Sequence, residues 1–96
     1  MKLPWEEVDP QMKRAVVHDL GTTYTFQVHY SLIVRNWIGQ VWTNSCLTKD
    51  AAAKDSQAQA EEFCLGLADQ YLADAVAAGR YDPENPVVAR VKEKKR

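Results

Sequence analysis

Residues 22–48 read TTYTFQVHYSLIVRNWIGQVWTNSCLT, and Arg35 is the one formal charge among them. Tyr24, Phe26, Val28, Tyr30, Leu32 and Val34 alternate with Thr25, Gln27, His29, Ser31, Ile33 and Arg35. A period of two sustained this long, in aromatic and β-branched types, predicts a strand. A turn is expected near Arg35-Asn36 or within residues 36–39, followed by a second strand over 38–47. Both turn positions put Trp42 and Cys46 on the same face as His29 and Ile33.

Helices are expected on either side of this hairpin. Asp9 is a capping residue, Pro10 suits a first helical position, and Gly21 is a natural stop. Met12, Val16 and Leu20 recur at spacings of four, so residues 10–20 are predicted to be helical. Residues 3–8 then form an irregular turn that tucks Trp5 against the core. Residues 48–78 are predicted to be a second helix, with Thr48 or Asp50 as cap and Gly79 as terminator. Ala60, Phe63, Cys64, Leu67, Ala68, Tyr71, Ala75 and Val76 give it one broad apolar face. Unbroken, it would run about 45 Å, long for so small a domain, so a break near Ser56 or Gly66 fits better.

Residues 80–86 are a turn-rich connector. Residues 86–91 suit a short strand or a last helical turn, and residues 91–96 a basic, flexible tail. The expected architecture is one α+β domain over residues 1–90, in the order α-β-β-α, with a possible short extra C-terminal element. The hairpin is an antiparallel sheet, and both helices pack on one of its faces.

Net charge is −1, so bulk electrostatics select neither nucleic acid nor membrane. Residues 49–79 are acidic on balance, and residues 80–96 are basic. No apolar run approaches the roughly 20 residues of a membrane-spanning helix. The first residues lack the apolar stretch of a secretory signal, so a cytoplasmic location with reduced Cys46 and Cys64 is expected.

Residue types that carry chemistry are present but poorly spaced. His18, His29, Cys46 and Cys64 make a Cys₂His₂ set, yet structural zinc sites use ligand pairs a few residues apart. No metal and no cofactor is expected. Cys46 with His29 lacks an acid in the hairpin to orient the imidazole, so a nucleophile pair is disfavoured. The acids Glu61, Glu62, Asp69 and Asp74 fit the solvated side of a helix. A non-catalytic protein is therefore the expectation.

The face opposite the aromatic one, from Thr25 to Ile33 with Trp42, Asn44 and Cys46, lacks the Lys and Glu that soluble strands usually show. His29, Ser31, Ile33, Trp42 and Asn44 are the candidate partner-binding residues, with Trp42 as the anchor type. An edge poor in Lys and Pro is also a template for strand pairing. A protein partner, first of all a second copy in a two-fold dimer, is expected on this face or edge. Compact, mixed-charge, motif-free domains of this kind suit phage or mobile-element accessory proteins, including inhibitors of host machinery.

The alternative is nucleic-acid binding through Lys49 and Lys54 at the start of the second helix, with Arg90, Lys92, Lys94, Lys95 and Arg96 in the tail. A hairpin followed by Thr48-Lys49 and Lys54 at a helix start resembles the double-stranded RNA-binding domain over about half the chain. That resemblance implies a lysine-bearing helix end set against phosphates. Asp50 and Asp55 offset the two lysines, and the usual glycine-rich approach to the helix is missing.

Overall fold

Chain order and spatial order coincide. The computed structural model describes residues 1–86, as five strands followed by two helices. The strands are β1 (Trp5–Asp9), β2 (Met12–Asp19), β3 (Thr22–Ser31), β4 (Asn36–Thr43) and β5 (Cys46–Lys54). All pair antiparallel in the order β1-β2-β3-β4-β5. The helices are α1 (Gln57–Tyr71) and α2 (Ala73–Ala77).

The molecule is thus α+β, but the order α-β-β-α is wrong. Residues 10–20 are strand, not helix. Asp9 does cap an amide, accepting from the Gln11 N–H at 2.7 Å, but as a hairpin turn rather than a helix start. Met12 and Val16 do share a face, because a spacing of four satisfies a period of two as well as one of 3.6. Residues 3–8 are not an irregular turn either: β1 begins at Trp5, which pairs with Ala15.

Tight turns set the register. Leu20 and Gly21 both take positive φ, at 49° and 82°, and join β2 to β3 in two residues. Asn44 and Ser45 do the same between β4 and β5, with φ of 50° and 69°. Two consecutive positive φ values give the hairpin turn whose twist matches the strands it joins. Between β3 and β4 the turn spans residues 32–35, so the long strand stops at Ser31 and the next starts at Asn36.

The start of the predicted helix over 48–78 is strand: residues 48–54 belong to β5. Thr48 was expected to cap it; instead its Oγ1 donates to the Val41 carbonyl and accepts from the Asp50 N–H, each at 3.0 Å. That local pairing sits where β5 departs from regular register against β4. The helix is capped eight residues later, at Ser56. Ser56 Oγ accepts from the Gln59 N–H at 3.2 Å, and Gln59 Oε1 accepts from the Asp55 N–H at 3.1 Å. This reciprocal pair fixes the start of α1.

From there the predicted apolar face holds. Ala60, Cys64, Leu67 and Ala68 of α1 are buried on one side of the sheet, against Ala15, Val17, Phe26, Val28 and Val41. α1 lies across β3, β4 and β5. The approach is close because β4 has a glycine under it: a Cβ on Gly39 would stand 2.9 Å from the Ala60 carbonyl oxygen and 3.0 Å from Phe63 Cδ2. Beyond α2 the chain returns to its start. Arg80 holds Asp19 with Nε–Oδ1 at 2.6 Å and Nη2–Oδ2 at 3.2 Å. Tyr81 donates to the Lys2 carbonyl, and Lys2 donates to that of Pro83. The predicted C-terminal element and the tail over 91–96 lie outside the described residues.

Candidate functional site

The five strands have two faces, and among the described residues α1 occupies only one of them. The register fixes which side chains share the other. Arg14 pairs with Gln27, Val16 with Thr25, and Met12 with His29 across β2 and β3. Thr25 then faces Trp42, Gln27 faces Gln40, His29 faces Ile38 and Ser31 faces Asn36 across β3 and β4. Alternation puts all of these on the side away from α1.

Much of this open face is half-buried although no second layer covers it among the described residues. Gln40 at its centre is only 9% exposed. Gln27 links two neighbours: Arg14 Nη2 donates to its Oε1 at 3.4 Å, and its Nε2 lies 3.3 Å from His29 Nδ1. His18 Nδ1 lies 3.0 Å from Thr23 Oγ1 at one end. A shallow hollow of about 380 Å³ is lined by Arg14, Val16, Thr25, Gln27, Trp42 and Ser45.

Trp42 forms one wall of that hollow. Its indole N–H is buried and has no hydrogen-bond partner among the described residues. A buried donor left unpaired costs about 1–3 kcal/mol, and native structures contain few of them.

Three of the sequence-predicted residues come together here: His29, Ser31 and Trp42. Two do not. Ile33 is in the turn over 32–35 and is 94% exposed, at one end of the hairpin. Asn44 is in the turn at the other end, where its Oδ1 accepts from the Thr23 N–H at 2.9 Å. Cys46 pairs with Thr43, which places it on the face opposite Trp42. The hairpin was also expected to offer a free edge, but β3 and β4 are interior strands and the sheet's edges are β1 and β5.

Arg14, Val16, Thr25, Gln27 and Gln40 belong to the site and were not among the predicted residues. Arg14 and Val16 were hidden by the helical reading of residues 10–20. The adjacent β-branched pair Val16-Val17 was the available signal for strand.

Lys49 and Lys54 are not in the first turns of a helix; both lie on β5, and the Lys54 Nζ sits 5.4 Å from the Phe63 ring centroid. Arg90, Lys92, Lys94, Lys95 and Arg96 lie outside the described residues. Cys46 and Cys64 are both free thiols, Cys46 exposed and Cys64 buried. Burial pushes the Cys64 thiol up to about 11, although its sulfur lies 3.8 Å from the Gln40 carbonyl and 3.7 Å from that of Gln27. Such a thiol is inert at neutral pH. Among the described residues no three His, Cys, Asp or Glu side chains are placed to hold a metal ion. No helix of the described residues is long and apolar enough to cross a membrane.

Compared with protein-family models, curated proteins and solved structures, the chain matches none.

Proposed function

We propose that this protein is a non-catalytic binding module that docks a protein partner on the open face of its sheet. The observation that carries this reading is Trp42: a large aromatic side chain with an unpaired donor, on a face that α1 leaves uncovered. Tryptophan is among the residue types that dominate binding energy at protein interfaces. Around it Val16, Thr25, Gln27, Ile38 and Gln40 bring shape and hydrogen-bonding capacity without charge, as the desolvated centre of an interface requires. An inhibitor or an adaptor would use the same surface, since occupying a partner needs an anchor and complementary shape rather than a reaction centre.

Nucleic acid is the weaker occupant. A phosphate backbone is held by several cations at once. Around Trp42 this face offers Arg14, already engaged with Gln27 and paired across the strands with Glu6.

The test is affinity capture from lysate with the wild-type chain and with Trp42→Ala, each washed at low and high salt. The expected result is a protein retained at high salt by the wild type and lost by the variant, with the variant's circular dichroism unchanged. Equal capture by both chains, or retention of nucleic acid that vanishes with salt, overturns the reading.

A further inference from the structure

The edge strand β5 carries the heptapeptide KDAAAKD at residues 49–55, and this sequence is complementary to its own reverse. Set two copies antiparallel about a two-fold axis through Ala52. Ala51 then lies opposite Ala53 of the second copy, Asp50 opposite Lys54, and Lys49 opposite Asp55. Each of the last two pairings occurs twice, so four oppositely charged cross-strand pairs flank a stretch of alanines.

The structure makes the placement workable. Among the described residues β5 pairs only with β4, so its outer edge has no strand beside it. The register irregularity lies before Ala51; Ala51, Ala52 and Ala53 are regular strand, paired with Gln40, Gly39 and Ile38. Asp50 faces the α1 side, where Tyr71 donates to its Oδ2, and Lys54 faces the same side over the Phe63 ring. Alternation sends Lys49 to the opposite side, and Asp55 continues that parity just past the strand end. Residues directly opposite in an antiparallel pair share a face, so each acid meets its lysine. Three alanines in a row allow the two backbones to approach without steric hindrance. A groove of about 450 Å³, lined by Ala53, Lys54, Asp55, Gln59, Glu62 and Phe63, runs beside the end of the edge where Lys49 of the second copy arrives.

A lysine on an edge strand ordinarily discourages pairing, because a second copy would bring its own lysine. Here the two-fold operation brings an acid to each lysine instead, and a self-complementary patch is what a closed dimer requires.

We propose that β5 is a homodimerisation edge, joining two copies antiparallel about Ala52 into one ten-stranded sheet. The axis is perpendicular to the sheet, so both α1 helices lie on one side and both open faces on the other. A contact confined to one strand edge is smaller than a standard interface and makes a weak, reversible dimer. The proposal stands apart from the role of Trp42, which is on a different surface.

The test is multi-angle light scattering coupled to size exclusion, over a range of concentrations, on the wild type, Lys49→Glu, Asp55→Lys and Trp42→Ala. Lys49 and Asp55 are exposed, so neither change touches the core. The wild type is expected to dimerise, and each charge variant alone to weaken the dimer about tenfold, since two attractive pairs become repulsive. An equimolar mixture of Lys49→Glu and Asp55→Lys restores dimer, because both cross-strand pairs are attractive again in the mixed species. Trp42→Ala leaves the dimer intact. A wild type that stays monomeric at every concentration, a dimer indifferent to the charge variants, or a mixture that does not recover overturns the assignment.

Discussion

Phe26 and Gln27 are neighbours in the chain and stand for the two faces of one sheet. Phe26 is fully buried beneath α1, whereas Gln27 lies half-buried on the open side, hydrogen-bonded to Arg14. Both faces are poor in charge, and the reason differs. On the helix side apolar side chains and a glycine let α1 seat directly on the strands. On the open side mainly polar groups cover the backbone, with no second layer among the described residues. Scarcity of charge alone therefore does not identify a core; what separates the faces is whether the side chains can do without hydrogen bonds.

Truncation should separate them most strongly. Phe26→Ala is expected to cost about 3–5 kcal/mol, as removal of a buried aromatic ring does. Thr25→Ala, one residue earlier and on the other face, should stay within about 0.5 kcal/mol of wild type. Urea denaturation of both variants checks the contrast, and equal losses would mean that the open face is packed as tightly as the covered one.

Gly39→Ala sharpens the comparison with a single methyl group. The new Cβ would meet a backbone oxygen of α1, which cannot rotate aside, so a loss of about 1–3 kcal/mol is expected from overpacking. Gly66 has nothing near its Cβ position, and alanine there should be neutral or slightly stabilising.

The smallest effect is chemical. A free thiol titrates near 9.0, and Cys64 holds its proton to about 11. Between those values the unfolded chain gives up a proton that the folded chain keeps, so this group's contribution to stability falls as pH rises through that window. Folded protein should accordingly alkylate at Cys46 alone at pH 8, with Cys64 reacting only in denaturant. Rapid labelling of both in the native state would contradict the burial of Cys64 under α1.

Much of the centre was legible. The alternation of residues 24–31, the placement of Trp42 on the face opposite the aromatic one, and the apolar stripe from Ala60 to Ala75 all follow from period alone. The flanks were not, for identifiable reasons. Met12, Val16 and Leu20 satisfy two periodicities at once, and the Asp9 side chain caps a hairpin turn by the same chemistry with which it caps a helix. KDAAAKD has the composition of a good helix and becomes strand because β4 has an open side to fill: tertiary pairing outweighs a preference worth a few tenths of a kcal/mol per residue. The misplacement of Ile33 and Asn44, and of Cys46 on the wrong face, follows from turn positions that only the register resolves, and that of Lys49 and Lys54 from the same helical reading of β5.

Among the described residues every strand hydrogen-bonds to the strand next to it in the chain. No pairing has to wait for a distant segment to arrive, and each hairpin can close over a short loop with a small entropic penalty. Assembly can therefore spread from one ribbon to the next and on to the seating of α1 over β3 and β4, with the return of Arg80 and Tyr81 to Asp19 and Lys2 as the step that spans the longest stretch of chain. Such a topology belongs with the faster-folding sheet proteins.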